Sequence, residues 1–259
     1  MVNDLEISSL AKLLEEAICK NLPANVAVPL SGGLDSSLLA AVAARKAKVL
    51  AITVGVAGAS DIPAAKAVAT ELGIEQIEYI FSKEELATLY TKCQTIYPSD
   101  FLTGELLVPL YKCCEIAKEH GYATLLSGSG AEEAFCGYDR YYKYVEEGKD
   151  LRAILNEEMR TLPARDIAAA NSVAKHHSVQ FLYPFTKVQL FEKIKSIPIP
   201  ELAGSREEKK PILRKIARLL GVPELACSRP KKAMQYGSGV HKELVKLFGS
   251  RTQSNLKSG

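Results

Sequence analysis

Tryptophan is absent from this 259-residue chain, and methionine and histidine are scarce, at three and four copies. So few histidines leave little material for an imidazole-based metal centre, and the adjacent pair His176-His177 has no Cys or Asp partner at ligand spacing nearby. The six cysteines, Cys19, Cys93, Cys113, Cys114, Cys136 and Cys227, form no CxxC pair and no disulfide-framework spacing, which argues against a zinc ribbon or a thioredoxin-like redox centre. No apolar run approaches the roughly 18 residues needed to span a bilayer. The opening stretch MVNDLEISSL carries acids and no apolar leader segment, so a cytoplasmic, reduced protein is expected. Two common nucleotide loops are missing as well. No Gly-Lys-Ser/Thr follows a glycine loop, and no GxGxxG opens the first strand–helix unit.

What is present is an ordinary globular composition, 47% hydrophobic and 24% charged, with a net charge of only +3. The charge is unevenly spread. From Lys187 onward there are 16 lysines and arginines against 6 glutamates, an asymmetry that suits either a phosphate or nucleic-acid face or solvated lysines on surface helices. Apolar residues at helical spacing predict a helix over 4–21. A buried strand is expected at 26–30, a helix at 34–47, a strand at 49–56, a helix at 62–72 and a strand at 75–81, with Ile77, Tyr79 and Phe81 on one face. Ser82 with Glu85 three residues later predicts a capping box that opens a helix running to about Thr95. A helix over 103–119 and a strand over 122–126 follow. This alternation points to an α/β fold with a parallel sheet. Beyond Tyr138 the strand signal fades, and helices are expected at 150–160, 164–175, 188–195, 208–220 and 241–248. The expected organisation is therefore an α/β core over 1–149 and a mainly helical C-terminal lobe over 150–259.

The chemistry concentrates at Ser31-Gly32-Gly33-Leu34-Asp35-Ser36-Ser37, between the first strand and an Ala/Leu-rich helix. Two glycines at a strand end let backbone N–H groups approach an anion, and the helix N-terminus adds positive potential. The three serines offer hydroxyl donors. Asp35 is a carboxylate suited to capping the helix or to holding Mg²⁺ beside phosphates. A second small-residue turn, Ser127-Gly128-Ser129-Gly130, ends the last strand of the core and leads to Glu132-Glu133. Ligands of open α/β sheets bind at that edge.

The loop resembles the pyrophosphate-binding PP-loop of the ATP pyrophosphatases, and more specifically that of the synthetase domain of asparagine synthetases. LSGGLDSS at 30–37, ITVGVAGASDIPAAKAVATELG at 52–73, LLSGSGAEEAFCGYDRYY at 125–142, ILR at 212–214 and RPKKAMQYGSGV at 229–240 carry the similarity. The resemblance implies the PP-loop fold and an enzyme that splits ATP to AMP and pyrophosphate, placing AMP on the aspartate side-chain carboxylate for attack by ammonia. It implies that Leu30, Val54, Ser127 and Gly128 hold the adenosine and that Ser31, Gly32, Gly33, Ser36 and Ser37 hold pyrophosphate. Asp35 and Glu132 would bind Mg²⁺, Glu133 matches a following family glutamate, and Lys231, with Lys232 as a close substitute, neutralises charge on the departing pyrophosphate.

Departures from the family pattern accompany the match. Val2 stands where the family's glutaminase domain carries its nucleophilic cysteine, and only thirty residues precede the loop, so nitrogen is expected as free ammonia or from a separate glutaminase subunit. Ser129 replaces the glutamate that assists deprotonation of the nucleophile; Glu132, Glu133, Tyr138 or the substrate itself would take over. Leu182-Tyr183-Pro184-Phe185-Thr186-Lys187 replaces the family's Arg-x-Pro-Phe-Leu-Asp. Two other readings stay open. One is adenylation of an RNA base or a cofactor, with Cys113, Cys136 or Cys227 handling sulfur; the other is a catalytically idle ATP-binding partner subunit. A homo-oligomer is compatible with all of them.

Overall fold

A computed structural model describes residues 2–230 and 234–255. Five parallel strands form one sheet in the order β3-β2-β1-β4-β5. They are β1 (Asn25–Pro29), β2 (Lys48–Gly55), β3 (Glu75–Ile80), β4 (Thr124–Leu126) and β5 (Gln180–Leu182). The first four answer the expected strands to within two residues at each end. β5 is a correction to the expectation that strands cease after Tyr138. Three residues are too few for period-2 alternation to register in a sequence, although Thr124, Leu125 and Leu126 pair with Gln180, Phe181 and Leu182.

Both faces of the central strands are buried, as parallel sheets require. Alternate residues feed two cores. Val26, Val28, Val49 and Ala51 enter one cluster, whereas Ala27, Leu50, Ile52 and Val54 enter the other. The first cluster takes up the buried stripe Ile7, Leu10, Ala11, Leu14, Ile18 of α1 (Asp4–Cys19) and the apolar body of α2 (Leu34–Ala43). α3 (Asp61–Leu72) joins the same side. The second cluster is built by α4 (Lys83–Ile96), which Ser82 caps by accepting from the Glu85 N–H at 3.1 Å, and by α5 (Phe101–Glu119).

After β4 come three helices, α6 (Ala131–Phe135), α7 (Asp139–Glu146) and α8 (Leu151–Thr161), with α8 packed against the other two. The helix expected at 164–175 divides into a π-helical turn, Pro163–Ile167, and α9 (Ala168–His176), which packs on α5. Later elements are α10 (Val188–Lys195), α11 (Ile199–Ala203), α12 (Pro211–Leu219), α13 (Glu224–Cys227), α14 (Met234–Gly237) and α15 (Val240–Asn255). The helix expected from Glu208 begins only at Pro211, because Lys210 adopts φ 56°, ψ 47°. Among the described residues no helix is long and apolar enough to cross a membrane.

Sheet order fixes where a ligand can sit. The chain leaves β1 toward β2 on one side and later returns to β4 on the other. A crevice therefore opens above the carboxyl ends of β1 and β4. The loop Ser31–Ser37 and the turn Ser127–Gly130 both emerge there.

Candidate active site

Gly32 makes the first loop possible. Its φ is +69°, and a Cβ on it would lie 2.5 Å from backbone atoms of Ala64 and Ala65 in α3, so only glycine fits. Gly33 then caps α2 in extended conformation without any side-chain bond to the helix N-terminus. The first-turn N–H groups are left facing the crevice, which favours an anion. The serines knit the loop together. The Ser31 and Gly33 N–H groups donate to Ser36 Oγ (3.2 Å) and Ser31 Oγ (3.3 Å), and the two hydroxyls lie 3.1 Å apart. Ser37 Oγ is buried with no hydrogen-bond partner among the described residues.

A long-range arginine secures this loop from above. Arg229 Nη1 donates to the Ser31 carbonyl at 2.5 Å, while Nη2 donates to the Ser60 carbonyl at 3.0 Å and to Asp61 Oδ1 at 2.9 Å. Arg214 in turn holds the Arg229 carbonyl at 3.2 Å and the Lys209 carbonyl at 2.8 Å.

The second loop is equally constrained. The Ser127 N–H donates to the Leu182 carbonyl at 2.9 Å, so β5 sets its height, and the Ser127 and Ser129 hydroxyls lie 2.9 Å apart. Gly130 takes φ +93° with Thr186 packed beneath it. α6 is a single turn bounded by two left-handed residues, Gly130 and Cys136. Its neighbouring carboxylates point different ways, since consecutive helical side chains diverge.

Glu132 meets Lys210. The ammonium is only 3% exposed and lies 2.7 Å from Asp35 Oδ2 and 3.0 Å from Glu132 Oε1. Burial opposes its charge, but Asp35 and Glu132 together outweigh that and hold its pKa above the ordinary lysine value. Gly137 leaves room for this pair, because a Cβ there would fall 1.5 Å from Glu132 Oε2 and 2.3 Å from Lys210 Cε. Lys210 precedes Pro211 and still adopts a left-handed conformation, which sterics disfavour twice over. Backbone strain of this kind gathers at functional sites.

Glu133 turns to the other side, 1% exposed, with Arg165 Nη2 at 3.7 Å from Oε1. Burial, reinforced by Glu132 and Asp166, raises its pKa to about 7, against the lowering pull of a backbone hydrogen bond and of Arg165. Tyr138 lies beside it. Burial and the two glutamates push its phenol far above the usual tyrosine range.

Both loops open into one cleft of about 680 Å³, within the size range of small-molecule sites. Of the sequence-predicted residues, Ser31, Gly33, Asp35, Ser36, Ser127, Gly128, Glu132 and Glu133 line it. Leu30 and Val54 line a small adjoining cavity with Ser31, Pro109 and Met234. Gly32 and Ser37 line neither and act through the backbone and packing of the loop. Lys231 and Lys232 lie outside the described residues. None of the six cysteines lines the large cleft, while Cys113 lines the small adjoining cavity; burial raises the thiols of Cys113 and Cys136 to about 12 and moves that of Cys227 upward. His177 meets the Tyr111 ring edge-on, with centroids 4.3 Å apart, and among the described residues no cluster of three or more His, Cys, Asp or Glu side chains is placed to hold a metal.

Sequence reasoning missed Lys210, Arg229 and Arg165. The pair Lys209-Lys210 directly before Pro211 was the available signal for the first. Nothing local marks Arg165, and Arg229 is marked only by its place at the start of the stretch 229–240.

The family model for asparagine synthase matches residues 9–152 and 143–256 of this chain. The chain belongs to the asparagine synthase family. Among curated relatives, a "putative asparagine synthetase [glutamine-hydrolyzing] 1" from Methanocaldococcus jannaschii is 29% identical over 86% of this chain and 47% of the relative. "Asparagine synthetase B [glutamine-hydrolyzing]" from Escherichia coli is 28% identical over 92% of the chain and 46% of the relative. The chain thus spans about half the length of these two relatives. Among solved structures, an NMN synthetase from Francisella tularensis superposes with a TM-score of 0.49 at 13% identity, covering 95% of this chain and 85% of that one. The fold is the α/β PP-loop fold of the ATP pyrophosphatases, and the relatives that this asparagine synthase-family chain matches carry the name of glutamine-hydrolysing asparagine synthetases.

Proposed function

We propose that this asparagine synthase-family chain adenylates a carboxylate with ATP, releasing pyrophosphate, and passes the acyl-adenylate to ammonia or another amine. The observation that carries the reading is the buried Lys210 ammonium between Asp35 and Glu132, beside the anion-binding loop and above the β1/β4 crevice. The family resemblance names the aspartate side chain as the acyl substrate and ammonia as the nucleophile.

In this mechanism the adenosine sits on the Leu30, Val54, Ser127, Gly128 side and the β- and γ-phosphates rest on the N–H groups of 31–37. A carboxylate oxygen of the substrate attacks the α-phosphorus; the bond from that phosphorus to the bridging oxygen breaks, and its electrons leave with pyrophosphate. Lys210, fixed and dry, stabilises the charge that grows on the leaving group. The amine then attacks the acyl carbon and AMP departs. Glu133, with a pKa of about 7, accepts the proton that the nitrogen loses, since a base titrating near the working pH is the most effective. Tyr138, held protonated, is excluded from that task.

The residues also suit Mg²⁺. Asp35 Oδ1 is buried with no hydrogen-bond partner among the described residues, and two carboxylates completed by phosphate oxygens are the usual magnesium environment. Asp35 and Glu132 would hold the ion, which when bound neutralises phosphate charge. Sulfur chemistry is disfavoured because the large cleft has no cysteine in its lining and Cys113, in the adjoining cavity, has its thiol raised to about 12 by burial; no described feature favours an RNA ligand.

The test is ATP–pyrophosphate exchange across a panel of carboxylic acids, with and without ammonia. Carboxylate-dependent exchange supports the reading. ATP turnover to ADP and orthophosphate, indifferent to carboxylates, overturns it.

A further inference from the structure

Pro109 and Cys113 of α5 line the small cavity beside Leu30 and Val54, and so do Met234 and Ser238, at the start of α14 and just past its end. Pro29, Ser31 and Met234 line the large cleft as well, so the two spaces adjoin. The walls on the adenosine side therefore include α5 and the α14 segment, and their separation decides how closely a nucleotide is held.

The stretch 234–241 is fastened in two directions. Toward the sheet, the Val56 N–H donates to the Ser238 carbonyl at 2.9 Å, and Gly237 comes so near Asp61 that a Cβ would fall 2.3 Å from both carboxylate oxygens. Toward α5, His241 Nδ1 lies 2.7 Å from Glu105 Oε2, and the Tyr236 ring of α14 meets the His241 ring edge-on with centroids 4.8 Å apart. Glu105, Pro109 and Cys113 follow at four-residue intervals, which places them on one face of α5. The attachment point and the cavity lining share that stripe.

Glu105 is an unusual residue to find there. It is 0% exposed, and its Oε1 has no hydrogen-bond partner among the described residues. Burial raises its pKa above the ordinary glutamate value against the pull of His241. A buried pair of this kind adds little net stability, because the loss of hydration offsets the attraction between the partners. What it supplies is direction. The apolar contacts of α15 with α5, through Val240 and Leu244, are compatible with small sliding movements, whereas a hydrogen bond between one carboxylate oxygen and one ring nitrogen is not.

Resting on the ATP reading above, we infer that Glu105 and His241 are positioning residues for the nucleotide: their bond pins α14 to α5 and sets the width of the adenosine side of the cleft. Neither side chain lines the cleft or the cavity, so both act through Met234, Ser238 and Pro109.

The experiment measures calorimetric binding of a non-hydrolysable ATP analogue with magnesium, alongside ATP–pyrophosphate exchange with an accepted carboxylic acid. The double variant Glu105→Leu/His241→Leu replaces the pair by apolar side chains and should keep the wild-type denaturant midpoint. It should bind the analogue about tenfold more weakly, the scale of one charge-assisted hydrogen bond, while exchange at saturating ATP stays within twofold of wild type. Glu105→Gln, whose amide oxygen still accepts from an Nδ1–H, should bind within twofold of wild type. Wild-type affinity in the double variant overturns the inference. So does a double variant that fails to fold, since the pair is then a stabilising element, and so does a Glu105→Gln protein as weak as the double variant. Absence of exchange with every acid, in proteins whose analogue binding follows the expected pattern, overturns adenylation and leaves the inference standing. Absence of analogue binding by the wild type overturns both.

Discussion

Lys210 Nζ lies 2.7 Å from Asp35 Oδ2, joining residues 175 positions apart. One end of that bond belongs to the glycine loop, the other to a strained turn before α12. The contact couples the anion-binding loop to the late helices and keeps a positive charge where pyrophosphate would leave.

Replacing this ammonium removes both functions. Lys210→Met should reduce kcat for pyrophosphate release by about 10²–10³-fold, the usual effect of deleting one preorganised donor. Breaking a buried ion pair from one side also destabilises by about 3 kcal/mol, visible as a lower denaturant midpoint. Lys210→Arg should fail to restore activity, because a planar fork does not fit beside Gly137 and Glu132.

Glu133 ties activity and stability to pH in opposite senses. In its proposed role of proton acceptor it would work only when ionised, so amide formation should rise with pH through an apparent pKa of about 7. Its raised pKa also means that the folded state binds the proton more tightly than the unfolded state. That stability is fully present below the ordinary glutamate value and is lost as pH rises through about 7. Glu133→Gln should abolish the rising limb of the rate profile and make the protein more stable at pH 8 by up to about 3 kcal/mol. An unchanged profile in the variant would remove Glu133 from the mechanism.

Arg229 acts as a positioning residue for the loop. Arg229→Lys forfeits the simultaneous bonds to Ser31, Ser60 and Asp61, since an ammonium cannot reproduce a rigid fork. KM for ATP should rise about 10–100-fold, the effect of losing one or two charge-assisted bonds, with a smaller change in kcat. A fall in kcat at constant KM would contradict this role.

Gly137 offers a test by crowding instead of deletion. Gly137→Ala places a methyl group where Glu132 and Lys210 now sit. Activity should drop to a level comparable with Lys210→Met although neither charge is removed, and the circular dichroism spectrum should be unchanged.

Legibility in the sequence followed the length of the signal. β1 and β2 show as the mainly apolar stretches 26–30 and 49–56, and Ser82 announced its helix cap, although of the expected capping box only the serine half forms, Glu85 Oε1 accepting from the Tyr79 hydroxyl instead. The two phosphate-edge loops were legible because glycines at strand ends have few other uses. β5 was invisible, being three residues with no turn chemistry of its own. Lys210 was hidden by the helical pattern that continues on both sides of it, and its left-handed φ is imposed by tertiary contacts that no local window contains. Arg229 reaches Ser31 across 198 residues, a pairing that spacing alone does not reveal. The direction taken by Glu133, away from Glu132 and into a dry corner, depends on the single-turn α6 held between Gly130 and Cys136.

The most direct test of adenylation is the fate of the γ-phosphate. With [γ-³²P]ATP, an accepted carboxylic acid and magnesium, the account predicts that label appears as pyrophosphate, in step with AMP, and that Lys210→Met abolishes it. Label appearing as orthophosphate with ADP would contradict it.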